Sequence, residues 1–304
     1  KSRYGTLKVI KKMPKVICVA NPKGGVGKTT TSINLSASLA KFGKRALLID
    51  LDPSGAASVG VGFTRENATF GVYDLYKHPE SLDEAIVRKA IYASGTERLD
   101  VMPSNVWTSE EENELLKLSA KLTRLRIMIN FVRNDYDYFI IDCPPFLSNL
   151  TLGAFTASDS TIVPVQCGFF ALHALERLMK FYRKVRESIN PYLKIEGILI
   201  TMYEKGTNVS IKTVRDARAV FEDLVFGVII PKNVKIGDAA FQKKPVVTYD
   251  STSAGAKAYI QLAEVILHRD DPQWDIQAHV QTPSEPRNES QTIPDVVSSS
   301  GENA

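Results

Sequence analysis

The sequence predicts an α/β fold, a mostly parallel twisted sheet flanked by helices, with a glycine-rich turn after its first strand. Three features predict it. Short uninterrupted apolar runs recur along the chain, as strands buried on both faces require. Segments of helical length separate many of them, the alternation that produces a parallel sheet. A glycine-rich stretch stands between the first apolar run and the first helical segment. With 304 residues and 44% hydrophobic content the chain can fill one sizeable core, so a single domain over 15–269 is expected.

The elements follow in order. Val16-Ile17-Cys18-Val19-Ala20 supplies the first strand, within 15–21, and the helix after the glycine-rich turn covers 28–42. Ala46-Leu47-Leu48-Ile49 supplies the second strand, within 45–51. Residues 64–95 read as partly helical insertions without a usable motif. A strand near 98–102 precedes a helix over 110–133, and Tyr138-Phe139-Ile140-Ile141 opens the strand at 138–142. Strands at 161–165, 195–201 and 226–230 follow, separated by helices over 171–189 and 209–223, and a helix over 253–268 closes the domain. Parallel sheets bind ligands at the carboxyl ends of their strands, so the residues just after each strand are the candidates for chemistry.

The glycine-rich stretch has the residue types of a phosphate cradle spanning Gly24, Gly25, Val26, Gly27, Lys28, Thr29 and Thr30. Its glycines let successive backbone N–H groups turn inward around phosphate oxygens, and the helix opening near Lys28 adds its positive dipole end. Lys28 neutralises β/γ-phosphate charge and Thr29 offers a hydroxyl to Mg²⁺. ATP and Mg²⁺ are therefore the expected ligands. The ordinary G-x-x-x-x-G-K-[ST] pattern would need glycine where this chain has Pro22, and a second lysine, Lys23, heads the loop.

Two further strands end in carboxylates, Asp50-Leu51-Asp52-Pro53 and Asp142-Cys143-Pro144-Pro145. A lone strand-end aspartate is ordinarily only a cap. Beside a phosphate loop, three of them suit metal binding and alignment of water for phosphoryl transfer.

Lys23–Thr30, K-G-G-V-G-K-T-T, resembles the deviant Walker A loop of the ParA/MinD superfamily. The chain from roughly 15 to 267 most resembles the ParA/Soj partition ATPases. The resemblance implies slow Mg²⁺-dependent ATP hydrolysis by Lys23, Lys28 and Asp52. Lys23 reaches the partner's nucleotide in an ATP-bound homodimer, and Asp52 positions the attacking water. Asp50 is an outer-shell magnesium group, and Asp142 is the Walker B carboxylate. Gly197–Tyr203 and Ile230–Lys235 resemble the family's G-V-L-L-T-M-Y and I-P-R-N-V-R, which lie near the adenine, so Met202, Pro231 and Asn233 join the nucleotide set. Tyr249-Asp250 with Ser253-Ala254-Gly255-Ala256 repeats the family's lead into its last helix. Four departures stand out: Ser54-Gly55-Ala56-Ala57 for Q-G-N-A, Gly168 and His173-Ala174 on the expected dimer face, Gly206 where arginine usually precedes T-N, and Phe241-Gln242-Lys243-Lys244-Pro245 for S-H/Y-G-K-P.

Charge is unevenly distributed. After about Asp270 the chain turns Pro-, Ser-, Glu- and Asn-rich, with seven acidic residues against Arg287, which reads as an acidic disordered tail over 270–304. Removing its net −6 from the +4 of the whole chain leaves +10 on residues 1–269. Residues 1–14 form a basic extension. A basic surface suits a polyanion, because Lys and Arg release counterions on meeting phosphates. The resemblance implies non-specific duplex DNA, with Lys205, Arg215, Arg218, Lys232, Lys235, Lys243, Lys244 and Lys257 as candidate contacts. It also implies a ParB-like centromere-binding partner that stimulates hydrolysis.

Cys18, Cys143 and Cys167 lie in or beside apolar strands without metal-ligand spacing, which favours a reducing compartment and argues against zinc or an iron–sulfur cluster. No apolar run approaches membrane-spanning length. A cytoplasmic, nucleoid-associated protein with no membrane partner is expected. Three alternatives stay open on sequence: an ATPase that positions a protein cargo, an ATP-gated repressor, and a membrane-surface ATPase like MinD. The repressor lacks a helix-turn-helix segment before the loop. The MinD-like reading lacks a basic amphipathic C-terminal helix.

Overall fold

The computed structural model describes residues 13–168 and 171–274. The basic extension before Met13, Phe169-Phe170 and the acidic stretch beyond Trp274 lie outside the described residues, as do the side chains of His173 and Ala174. The strands are β1 (Lys15–Val19), β2 (Ala46–Asp50), β3 (Tyr92–Ala93), β4 (Leu99–Met102), β5 (Tyr138–Asp142), β6 (Ser160–Gln166), β7 (Lys194–Tyr203) and β8 (Val225–Pro231). They form one sheet in the order β3-β4-β2-β5-β1-β6-β7-β8. Every pairing is parallel except β3 with β4.

Side chains alternate across the sheet, so its central strands feed two cores. From β1, Val16 and Cys18 enter one, and Ile17 and Val19 the other. On the second side lie α1 (Lys28–Lys41), α2 (Ala56–Gly60), α10 (Val234–Phe241), α11 (Val246–Tyr249) and α12 (Ala254–Asp270). The first side holds α3 (Val72–Lys77), α4 (Glu84–Lys89), α5 (Ser109–Leu118), α6 (Arg124–Phe131), α7 (Asn149–Ala157), α8 (Ala171–Ser188) and α9 (Asn208–Phe221).

Three elements differ from expectation. The single helix expected over 110–133 is two, because the chain turns between Leu118 and Arg124, where the Ser119 hydroxyl donates to the Leu116 carbonyl at 2.7 Å. Such a hydroxyl competes for helical carbonyls and favours an end. Helix α7 escapes periodicity because Leu150, Thr151, Gly153, Ala154, Phe155, Thr156 and Ala157 are all buried; a helix enclosed on most sides has no polar stripe to read. The chain also continues to pack past residue 269. Trp274 is 4% exposed and meets Phe42 edge-on at 5.2 Å, and Asp270 accepts hydrogen bonds from Lys15 and Tyr138. Asp270 to Trp274 therefore belong with the packed domain.

Candidate active site

The register brings the strand ends of β1, β2 and β5 to one level. Asp142 at the end of β5 pairs with Val19 of β1 on one side and Asp50 of β2 on the other, so the loop leaving β1 passes beside both strand-end carboxylates. Asn21 fastens that loop, donating to the Pro164 carbonyl at 2.7 Å and accepting from the Lys23 N–H at 2.9 Å. Thr201, on β7, donates to the Val26 carbonyl at 2.9 Å. Gly25 and Gly27 have φ of 73° and 89°, the left-handed region where a side chain is strained. Gly27 also caps α1 without any side-chain hydrogen bond, leaving the first-turn N–H groups for an anion.

Lys28, the first residue of α1, is 6% exposed, and its Nζ donates to the Lys23 carbonyl at 3.1 Å. Burial pushes its pKa down, while Asp142, Cys143 and Asp52 pull the other way. A desolvated cation curled over the loop is poised to gain from phosphate oxygens.

The carboxylates are held by hydroxyls that the sequence reading did not single out. Ser32, one turn into α1, donates to Asp142 Oδ1 at 2.9 Å. Ser58 of α2 donates to Asp50 Oδ2 through both its N–H, at 2.7 Å, and its Oγ, at 2.6 Å. The second oxygens, Asp50 Oδ1 and Asp142 Oδ2, are buried with no hydrogen-bond partner. Burial raises Asp50 to about 7 and Asp142 to about 8, and the mutual proximity of the pair holds Asp142 up further. Asp52, 9% exposed, accepts from the Ser54 N–H at 3.0 Å.

Beyond the loop, a cleft of ≈ 200 Å³ joins Gly27 and Thr30 to Met202, Pro231 and Asn233. The structure thus unites the three residues expected at the base with the loop itself. It adds Ile236, Gly237 and Tyr259, from α10 and α12. Met202 has a φ of 52°, a left-handed conformation of the kind that collects at ligand sites. Tyr259 lies 3.4 Å from the Thr31 hydroxyl and escaped sequence reading because it sits mid-helix among ordinary core residues.

The comparisons with known proteins agree with this geometry. A family model described as an AAA domain matches residues 14–195. Over 254 residues the chain is 42% identical to the sporulation initiation inhibitor protein Soj of Bacillus subtilis, covering 84% of this chain and 98% of that protein. Over 258 residues it is 42% identical to the chromosome partitioning protein ParA of Caulobacter vibrioides, covering 84% and 95%. The chain belongs to the ParA/Soj family of partition ATPases. Among solved structures it resembles cobyrinic acid a,c-diamide synthase from Mycobacterium smegmatis with bound ADP and magnesium, at a TM-score of 0.71 and 29% identity over 86% of this chain and 97% of that one. It also resembles a putative plasmid partition protein from Borrelia burgdorferi bound to AMPPNP, at 0.68 and 25% over 84% and 99%.

Within this family's loop the donors fit Mg²⁺. Asp50 Oδ1 and Asp142 Oδ2 are buried carboxylate oxygens left unpaired by neighbouring side chains, and the Thr29 hydroxyl interacts with Asp142; all are hard oxygen donors. No three carboxylate, His or Cys side chains converge as a closed metal cluster among the described residues. The cysteines form no such cluster either: Cys18 and Cys143 are buried in the core and Cys167 is half-buried.

The basic candidates are all exposed but not all free. Lys232 pairs with Glu204 at 2.8 Å, Arg215 with Asp216 at 3.2 Å and Lys235 with Asp238 at 3.2 Å. For Lys205, Arg218, Lys243, Lys244 and Lys257 no ion pair is found among the described residues. Arg215 and Arg218 ride on α9 on one face of the sheet, and Lys257 on α12 on the other. The set wraps the β8 edge instead of forming one cluster. No described helix is long and apolar enough to cross a membrane.

Proposed function

We propose that this partition ATPase works as an ATP-gated DNA-binding switch. Support comes chiefly from the phosphate loop with its buried Lys28 standing level with two strand-end aspartates that each keep an oxygen without a hydrogen bond. ATP seats with its phosphates over Gly24–Thr30 and its base in the cleft of Met202, Pro231 and Asn233. Thr29, Asp50 and Asp142 hold Mg²⁺, which when bound offsets charge on the β- and γ-phosphates. Lys28 stabilises charge developing on the transferred phosphoryl, and Asp52 accepts a hydrogen bond from the attacking water and aligns it.

Lys23 reaches across to the nucleotide of a second copy, so the homodimer forms only with ATP and sets the two basic edges on one duplex. Binding is non-specific and runs through phosphates. Hydrolysis is slow until a ParB-like centromere-binding partner completes the site, and it then releases the DNA. The protein works on the nucleoid in the cytoplasm.

The test is binding to random-sequence duplex with ATP, ADP or no nucleotide, for wild type, Lys28→Ala and Asp52→Ala. ATP-dependent binding that is lost in Lys28→Ala and retained in Asp52→Ala is expected. Binding indifferent to nucleotide, or none in any state, would refute the switch.

A further inference from the structure

Helix α10 is capped by Asn233, which lines the nucleotide cleft, and ends at Phe241, about 12 Å along its axis. Phe241 is 86% exposed. The backbone just after it is closed by two reversed hydrogen bonds, Lys244 N–H to the Ala239 carbonyl and Lys243 N–H to the Ala240 carbonyl, both at 3.0 Å. This is the Schellman arrangement, whose left-handed residue is usually glycine. Here it is Lys243, with φ 54°. The turn therefore presents an exposed lysine side chain where glycine would present none.

The chemistry of the tip selects its partner. Lys243 and Lys244 are exposed, and no carboxylate lies within ion-pair distance of either among the described residues. The nearby Glu66 feels Lys243 electrostatically but accepts its hydrogen bond from Thr64. Gln242, Lys243 and Lys244, which follow the ring in sequence, are exposed and polar, and Val234 is exposed on the same face of α10; the two cations favour a polyanion over an apolar partner surface. An exposed apolar side chain beside cations without ion-pair partners is an arrangement by which proteins wedge into a minor groove while holding phosphates.

We propose that Phe241, Lys243 and Lys244 form a DNA-contacting tip, the two lysines on backbone phosphates and the Phe241 ring inserted against a base step of the duplex minor groove. The inference rests on the reading of this protein as an ATP-gated DNA binder and adds an apolar contact to it. Helix α10 runs from the nucleotide cleft to this tip.

The experiment measures anisotropy-detected binding to duplex DNA with ATP across a salt series, together with end-to-end energy transfer to report bending. It compares wild type, Phe241→Ala and the double variant Lys243→Ala/Lys244→Ala, with nucleotide binding as a check on folding. Phe241→Ala is expected to weaken binding about tenfold, in the range of an aromatic–base contact, with an unchanged salt slope and a lost bend. The double variant is expected to lower the slope of log affinity against log salt by about 2. Undiminished binding by Phe241→Ala overturns the proposal. So does a reduced slope in that variant, which would mean the ring only orders the lysines. A defect confined to stimulation by a protein partner, with DNA binding intact, overturns it in favour of a protein surface. If wild type itself shows no ATP-dependent DNA binding, the underlying switch reading fails and this inference fails with it.

Discussion

Replacing Lys243 by glycine separates backbone strain from charge at one position. An L-residue in the left-handed region costs about 1–2 kcal/mol, and Lys243 sits there with φ 54°. Glycine removes that cost but gains roughly 0.4–1 kcal/mol of unfolded-state entropy. The backbone bonds from Lys243 and Lys244 to Ala240 and Ala239 survive the change. Lys243→Gly is therefore expected to be about 0.5–1 kcal/mol more stable than wild type, a rise in melting temperature of roughly 1–4 °C for a domain of this size. Lys243→Ala keeps the strained backbone and loses only an exposed cation, so its stability stays within about 0.5 kcal/mol of wild type. Both variants lose the same charge, and both should show the DNA salt slope reduced by about 1. Urea unfolding at pH 7 with duplex titrations in parallel checks this. Equal stability of the glycine and alanine variants would refute the argument that the conformation of Lys243 is strained.

Two further outcomes follow from the site and the core. Asp50 and Asp142, raised by burial to about 7 and about 8, keep protons that unfolded carboxylates near 3.8 have released. The nucleotide-free protein should therefore lose stability as pH rises from about 4 toward 8. The fall should be shallower in Asp142→Asn and with Mg²⁺–ATP bound; urea midpoints that rise between pH 6 and 8 in wild type would contradict it. Trp274, 4% exposed against Phe42 and His268, should cost about 3–5 kcal/mol when changed to alanine. Truncation after residue 274 should change thermal stability little, and truncation after 273 should reproduce the alanine loss.

Much of the site was legible because its signals are local. The loop Gly24–Thr30 and the aspartates ending β2 and β5 are strings of a few residues, each next to an apolar run that identifies its strand. Met202, Pro231 and Asn233 were expected only through the resemblance of their strings to the family's, and they line one cleft with Gly27 and Thr30. Ser32 and Ser58 were not found, since serine in or near a helix carries no signal of what lies across from it. Their partners are 110 and 8 residues away in sequence. The broken helix at Ser119 and the largely buried α7 were lost because a short interruption leaves the flanking periodicity intact, and an enclosed helix has no polar stripe to read.

By itself the sequence determined the parallel α/β class, the phosphate loop and the carboxylates available to it, because apolar strand runs and glycine spacing act within a few residues of themselves. Only the tertiary structure decided which oxygens of Asp50 and Asp142 remain unpaired, that Trp274 closes the core beyond the expected boundary, and that Lys243 occupies a left-handed turn beneath an exposed Phe241. Those outcomes depend on the register of β1, β2 and β5 and on where a helix stops against its neighbours, which are set by contacts between distant parts of the chain.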